Sequence, residues 1–179
     1  VDSRGIQGNA ERFRIISESS ADESCLYVVA LGVSDYRDES LKLQYAAKDA
    51  RDIADTLKQC HYGENKVLLL TNRDVLGASA LQQIKAFIAN ARIQDRVVVY
   101  CAGHGLLDDK LDYYFAPSDF ELEHIAQTGI SMEALLDCLD STPARTRLML
   151  LDTCHAGFLG EEGEAKMALA ASSLPFSVS

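Results

Sequence analysis

Two stretches decide how this chain folds: Val97-Val-Val-Tyr-Cys-Ala-Gly-His-Gly105 and Arg147-Leu-Met-Leu-Leu-Asp-Thr-Cys-His-Ala-Gly157. Each begins with a short apolar run and ends in polar residues set among glycines or small residues. Apolar runs of this length, rich in Val and Leu, describe strands buried on both faces. Leu26-Tyr-Val-Val-Ala-Leu-Gly-Val33 reads the same way, and so does Lys66 to Leu70. Those boundaries predict strands over 26–33, 66–70, 97–101 and 147–151, with a glycine-bearing loop and the aromatic run Tyr113-Tyr-Phe115 after the third.

Helical periods fill the gaps. Leu43, Ala46, Ala47, Ala50, Ile53, Ala54 and Leu57 recur at three- and four-residue steps, with Lys48, Arg51, Asp52, Asp55 and Lys58 on the other face. His61-Tyr-Gly63 offers a glycine stop. A second helix is predicted over Ser79 to Ala91, and Ser131 is placed to cap a third that runs through Leu139. Strands alternating with helices predict an α/β domain: a mostly parallel sheet with helices on both faces. Sites of such sheets lie beyond the carboxyl ends of the strands.

His104 and Cys154 stand at two of those ends, separated by 50 residues in sequence. A thiol beside an imidazole is the minimum kit of a cysteine hydrolase, because the imidazole favours the nucleophilic thiolate. Glycines beside them admit a peptide backbone and free N–H groups for an oxyanion. Each residue alone has an ordinary reading, a small buried thiol and a surface imidazole; the pairing favours chemistry. Cys101-x-x-His104 with Cys154-His155 also offers a zinc ligand set, although the adjacency of Cys154 and His155 makes joint ligation awkward. A phosphate cradle is disfavoured because neither GxGxxG nor GxxxxGK[ST] occurs.

Composition narrows the partners. The chain has 179 residues, 47% of them hydrophobic, as a packed single domain requires. Its 27 acidic and 17 basic residues give −10, a surface that repels phosphate backbones and excludes non-specific nucleic-acid binding. No apolar run approaches the roughly 20 residues of a membrane-spanning helix, so no membrane partner is expected. Five widely spaced cysteines without a CxxC pair, and no basic-then-apolar leader, predict a reducing, cytoplasmic setting.

The quoted stretches resemble the two active-site motifs of caspase-like cysteine peptidases. Leu150-Leu-Asp-Thr-Cys-His-Ala-Gly157 is similar to the version found in metacaspases and their prokaryotic relatives. Ala30-Leu-Gly-Val-Ser-Asp-Tyr-Arg37 through Ala46-Ala-Lys-Asp-Ala50 is similar to the same region of paracaspases. Caspases likewise carry their His about 50 residues before the Cys. Their QAC(R/Q/G)G signature is absent, and Asp152-Thr-Cys-His stands in its place.

The resemblance spans Leu26 to about Leu159 and implies a caspase-like three-layer sandwich. It implies Cys154 as nucleophile, His104 as general acid/base, and the backbone N–H groups of Gly105 and Cys154 as oxyanion hole. Relatives that cut after basic residues line their specificity pocket with two acids, and the matching positions are Asp49 and Asp152. Asp49 borders the apolar stripe of its helix. Asp152 ends an apolar run and is expected partly buried, in need of a partner. Two carboxylates select Arg over Lys, because guanidinium is held bidentately. The implied substrate is a protein or peptide with a basic residue before the cut.

His61, His124 and His155 carry no expected catalytic role. No cofactor is required by this chemistry, and no metal site is assigned. Some metacaspases need calcium, and Asp108, Asp109, Asp112, Asp119, Glu121 and Glu123 form an acidic loop, but without EF-hand-like spacing. Residues 1–24 read as an arm or linker, 25–160 as the large-subunit portion of a catalytic domain, and 161–179 as an acidic processing loop and truncated tail. Lys166 is the basic residue in that loop and the tentative self-cutting site. The resemblance implies further strands and a helix after Cys154, which are expected either to be lost by truncation or to come from a small-subunit fragment of the same precursor. The competing reading is a catalytically silent caspase-like scaffold.

Overall fold

The computed structural model describes residues 24–60 and 63–155. The arm up to residue 23, His61-Tyr62 and everything from residue 156 onward, Lys166 included, lie outside the described residues. Six strands and four α-helices follow in chain order: β1 (Leu26–Gly32), α1 (Ala46–Lys58), β2 (Asn65–Thr71), α2 (Gly77–Ile88), β3 (Arg96–Leu107), β4 (Tyr113–Phe115), α3 (Ile125–Thr128), β5 (Ile130–Ser131), α4 (Met132–Asp140) and β6 (Thr146–His155).

Four strands run parallel in the order β2-β1-β3-β6. β6 occupies one edge of β3 from Arg96 to Gly105, and β1 occupies the other until it ends at Gly32 opposite Ala102. Beyond that point β4 takes over the vacated edge, antiparallel, pairing Gly105 with Phe115, and β5 adds to β4.

Residue alternation sorts the core into two faces. Ala30, Tyr100 and Ala102 meet Ala46, Ala50 and Ala54 of α1. Val29, Leu31, Val97, Val99 and Cys101 meet Ile84 and Ile88 of α2 and Leu135 and Leu139 of α4. The result is the expected three-layer sandwich. Asp95, buried just before β3, ties the strand starts together: it accepts from the Cys25 N–H at 2.8 Å and the Arg92 N–H at 2.7 Å. Ser24, assigned by sequence to the arm, is buried and receives a hydrogen bond from Arg96 at 3.1 Å.

The alanine face of α1 lets the helix approach the sheet closely, and Gly32 completes that fit. A Cβ at Gly32 would lie 2.6 Å from both the Ala46 carbonyl oxygen and Ala50 Cβ, and 2.9 Å from Ala47 Cα. None of these atoms is the end of a flexible side chain. Gly32→Ala is therefore expected to cost about 2–3 kcal/mol by overpacking. Urea denaturation should show a lower midpoint at unchanged slope.

The boundaries expected for four elements are corrected. β3 and β6 run on through His104 and His155, where the glycines predicted loops. Residues from Ala102 to Leu106 are buried, so their backbone groups need ladder partners, and β4 and β6 supply them. Helix α1 starts at Ala46, later than the Leu43 expected, and α2 spans 77–88 where 79–91 was predicted. Ser131 caps α4 as expected, its hydroxyl accepting from the Ala134 N–H at 3.1 Å.

Candidate active site

The β3–β6 register pairs His104 with Cys154 and Gly105 with His155. Paired positions on neighbouring strands lie about 4.8 Å apart. The two residues are therefore side by side on the sheet, on the strand tails that outrun β1.

The surroundings of His104 are built from three other segments. Its N–H donates to the Tyr36 hydroxyl at 3.0 Å, and its carbonyl accepts from the Ala116 N–H at 3.0 Å. Both backbone groups thus face the β1/β4 edge, and by strand alternation the Gly105 N–H faces β6. The imidazole is buried, and its Nε2 lies 2.7 Å from the Leu41 carbonyl oxygen. A carbonyl only accepts, so Nε2 carries a proton, and in the neutral ring Nδ1 is then the nitrogen with the lone pair. Nδ1 is buried and has no hydrogen-bond partner among the described residues. The Tyr36 ring packs beside the imidazole, centroids 5.1 Å apart.

Leu41 closes a 3-10 turn, Glu39–Leu41, whose cap Asp38 accepts from the Ser40 N–H at 2.9 Å. That turn sets the carbonyl that selects the imidazole tautomer. The glycines around His104 leave room for aromatic side chains. A Cβ at Gly103 would lie 3.0 Å from both the Tyr36 hydroxyl and the Phe115 ring, and one at Gly105 would overlap the Tyr113 ring at 2.7–2.8 Å. Tyr113 crosses that space to reach Thr153, its hydroxyl 2.6 Å from Thr153 Oγ1, one residue before Cys154. Burial pushes its phenol up to about 12, so the hydroxyl stays protonated.

Sequence reasoning assigned no role to Tyr36, Leu41 or Tyr113. The first and last lie within stretches it quoted, but a backbone carbonyl leaves no signature.

The two acids both act on Tyr100. Asp152 is exposed, which corrects the expectation of partial burial: β6 has no helix over that face among the described residues, and Leu148 and Leu150 are exposed beside it. It does have the expected partner, the Tyr100 hydroxyl, which donates to Asp152 Oδ2 at 2.9 Å. Ionisation of Tyr100 is opposed first by burial, then by Asp152, and also by the charge of Asp49. Asp49, half-buried in the first turn of α1, acts on that phenol through its charge alone, whereas Asp152 also accepts its hydrogen bond. Neither carboxylate makes an ion pair among the described residues.

Cys101 is fully buried under α2 and α4, and burial pushes its thiol up to about 12, which removes it from the zinc ligand set. Among the described residues no three His, Cys, Asp or Glu side chains form a metal-binding group. His124 is exposed, 3.4 Å from Glu121. No helix among the described residues is long and apolar enough to cross a membrane.

Comparison with known proteins agrees with this architecture. The family model of the caspase domain of C14 peptidases matches residues 26–175. The chain belongs to that family, whose domain is of the cysteine-peptidase type. A crystal structure of protein GSU0716 from Geobacter sulfurreducens shares the fold, with a TM-score of 0.60 at 19% identity. The match covers 82% of this chain and 55% of that one, so the chain spans about half the length of that relative. No curated protein matches.

Proposed function

We propose that the protein is a cysteine endopeptidase that cuts polypeptides after Arg, and less readily after Lys, through a Cys154–His104 dyad. The observation that carries this is the register pairing of the two residues beside an imidazole whose Nδ1 is buried and has no partner among the described residues. Nδ1 takes the Cys154 proton, and the thiolate attacks the scissile carbonyl. The resemblance assigns the oxyanion to the Gly105 and Cys154 N–H groups, and the Gly105 N–H must leave its β6-facing ladder position to take that role. His104 then protonates the leaving amine, and a water hydrolyses the acyl-enzyme, its proton passing back through His104. No cofactor is called for.

Asp49 and Asp152, with no ion-pair partner among the described residues, offer two carboxylates to a guanidinium. The substrate is a protein or peptide with a basic residue before the cut. Relatedness to prokaryotic metacaspases and paracaspases fits the Asp-Thr-Cys-His motif. Activation includes self-cutting near Lys166. The outer edge of β6 has no strand partner among the described residues, and a small-subunit fragment of the same precursor would dock there.

An Arg-ended chloromethyl ketone tests the reading. It is expected to alkylate Cys154, located by peptide mass mapping, while an Asp-ended analogue leaves the thiol free. Absence of labelling in the full-length protein would instead favour the silent scaffold.

A further inference from the structure

Tyr100 has no part in the reaction steps above, yet its hydroxyl is bonded to Asp152 and feels the charge of Asp49. Its ring is buried on the α1 face among Ala30, Ala46, Ala50 and Ala102. Its hydroxyl reaches across the β3–β6 pair to Asp152 Oδ2 at 2.9 Å, linking residues 52 positions apart. Burial and the two neighbouring carboxylates keep the phenol protonated, so it acts on Asp152 as a donor.

We infer that Tyr100 is a positioning residue for specificity, holding the exposed Asp152 carboxylate in one plane so that its remaining acceptor sites meet an arginine guanidinium in parallel. This rests on the Arg-pocket reading above. An exposed carboxylate otherwise turns freely about its terminal torsion. The phenol fixes that torsion and occupies one of about four lone-pair sites. A guanidinium is planar and needs a matching plane, whereas an ammonium is a point charge that follows the carboxylate wherever it turns. Loss of the hydroxyl therefore harms Arg recognition more than Lys recognition.

Tyr100→Phe keeps the ring in its alanine-lined slot and removes the donor alone. KM for an Arg-ended fluorogenic peptide should rise about tenfold with kcat within about twofold, as expected for lost uniform binding. The Arg-to-Lys ratio of kcat/KM should fall by about the same factor. In an Asp152→Asn background the substitution should change neither quantity, because the partner charge is already gone. An equal loss for Arg and Lys peptides, a drop confined to kcat, or an unchanged Arg-to-Lys ratio would overturn the role of Tyr100 while leaving the pocket standing. A wild-type enzyme with no preference for Arg removes the pocket and Tyr100 together.

Discussion

Cys154→Ala is expected to abolish cleavage of Arg-ended peptides, lowering kcat by on the order of 10³-fold or more. In the proposed mechanism the sulfur forms the covalent intermediate, so its removal leaves no nucleophile at that position. His104→Ala should cost about as much, because the thiol then has no proton acceptor and the amine no donor. The two losses should not add: the double variant should be no slower than the worse single one, as for residues acting as one unit.

Stability separates the two variants. Removing the His104 ring vacates space beside Tyr36 and leaves the Leu41 carbonyl without its donor, so His104→Ala should also melt earlier. His104→Gln keeps a polar side chain there and controls for the fold. Circular dichroism melts alongside single-turnover assays distinguish chemistry from unfolding. A Cys154→Ala protein retaining full activity would end the peptidase assignment.

Asp152→Ala should leave the fold nearly untouched, because the side chain is exposed and its one described hydrogen bond is to Tyr100. Its effect belongs to specificity. Losing one charge-assisted contact to a guanidinium should reduce kcat/KM for Arg-ended peptides by about 10²-fold. Lys-ended peptides should lose less, and Asp49→Ala should fall between wild type and Asp152→Ala, since Asp49 sits further within the α1 face. Two carboxylates repel an acidic side chain, so the wild-type protein should not process Asp-ended peptides. Comparable turnover of Arg- and Asp-ended peptides would remove both acids from the pocket.

Much of this site could be read from residues alone. The two apolar runs, each leading into a glycine-flanked or small-residue-flanked polar cluster, identify parallel strands and place His104 and Cys154 at their carboxyl ends. What misled was the local pattern of those ends. Ala-Gly-His-Gly interrupts the apolar run, and glycines signal a turn when only neighbours in sequence are weighed. In the fold, β4 and β6 flank that segment, and pairing on both edges keeps it extended. Asp152 misled in the opposite direction. A continuous apolar run implies cover on both faces, but Leu148, Leu150 and Asp152 point to the face of β6 that no described helix covers.

The amino-acid order by itself determined the alternation of β1, α1, β2, α2, β3, α4 and β6, the two-sided burial of the central strands, the acidic composition and the identity of the thiol, imidazole and carboxylates, because periodicity and side-chain chemistry are local properties. The short α3 and β5 left no such pattern. Only the tertiary structure decided the register that sets His104 opposite Cys154, the imidazole tautomer imposed by a carbonyl 63 residues away, and the phenol that joins β3 to Asp152. Each of these depends on which distant segments share an edge or a face. That is settled by packing the alanine face of α1 and the layers beneath α2 and α4, and by no pattern along the chain.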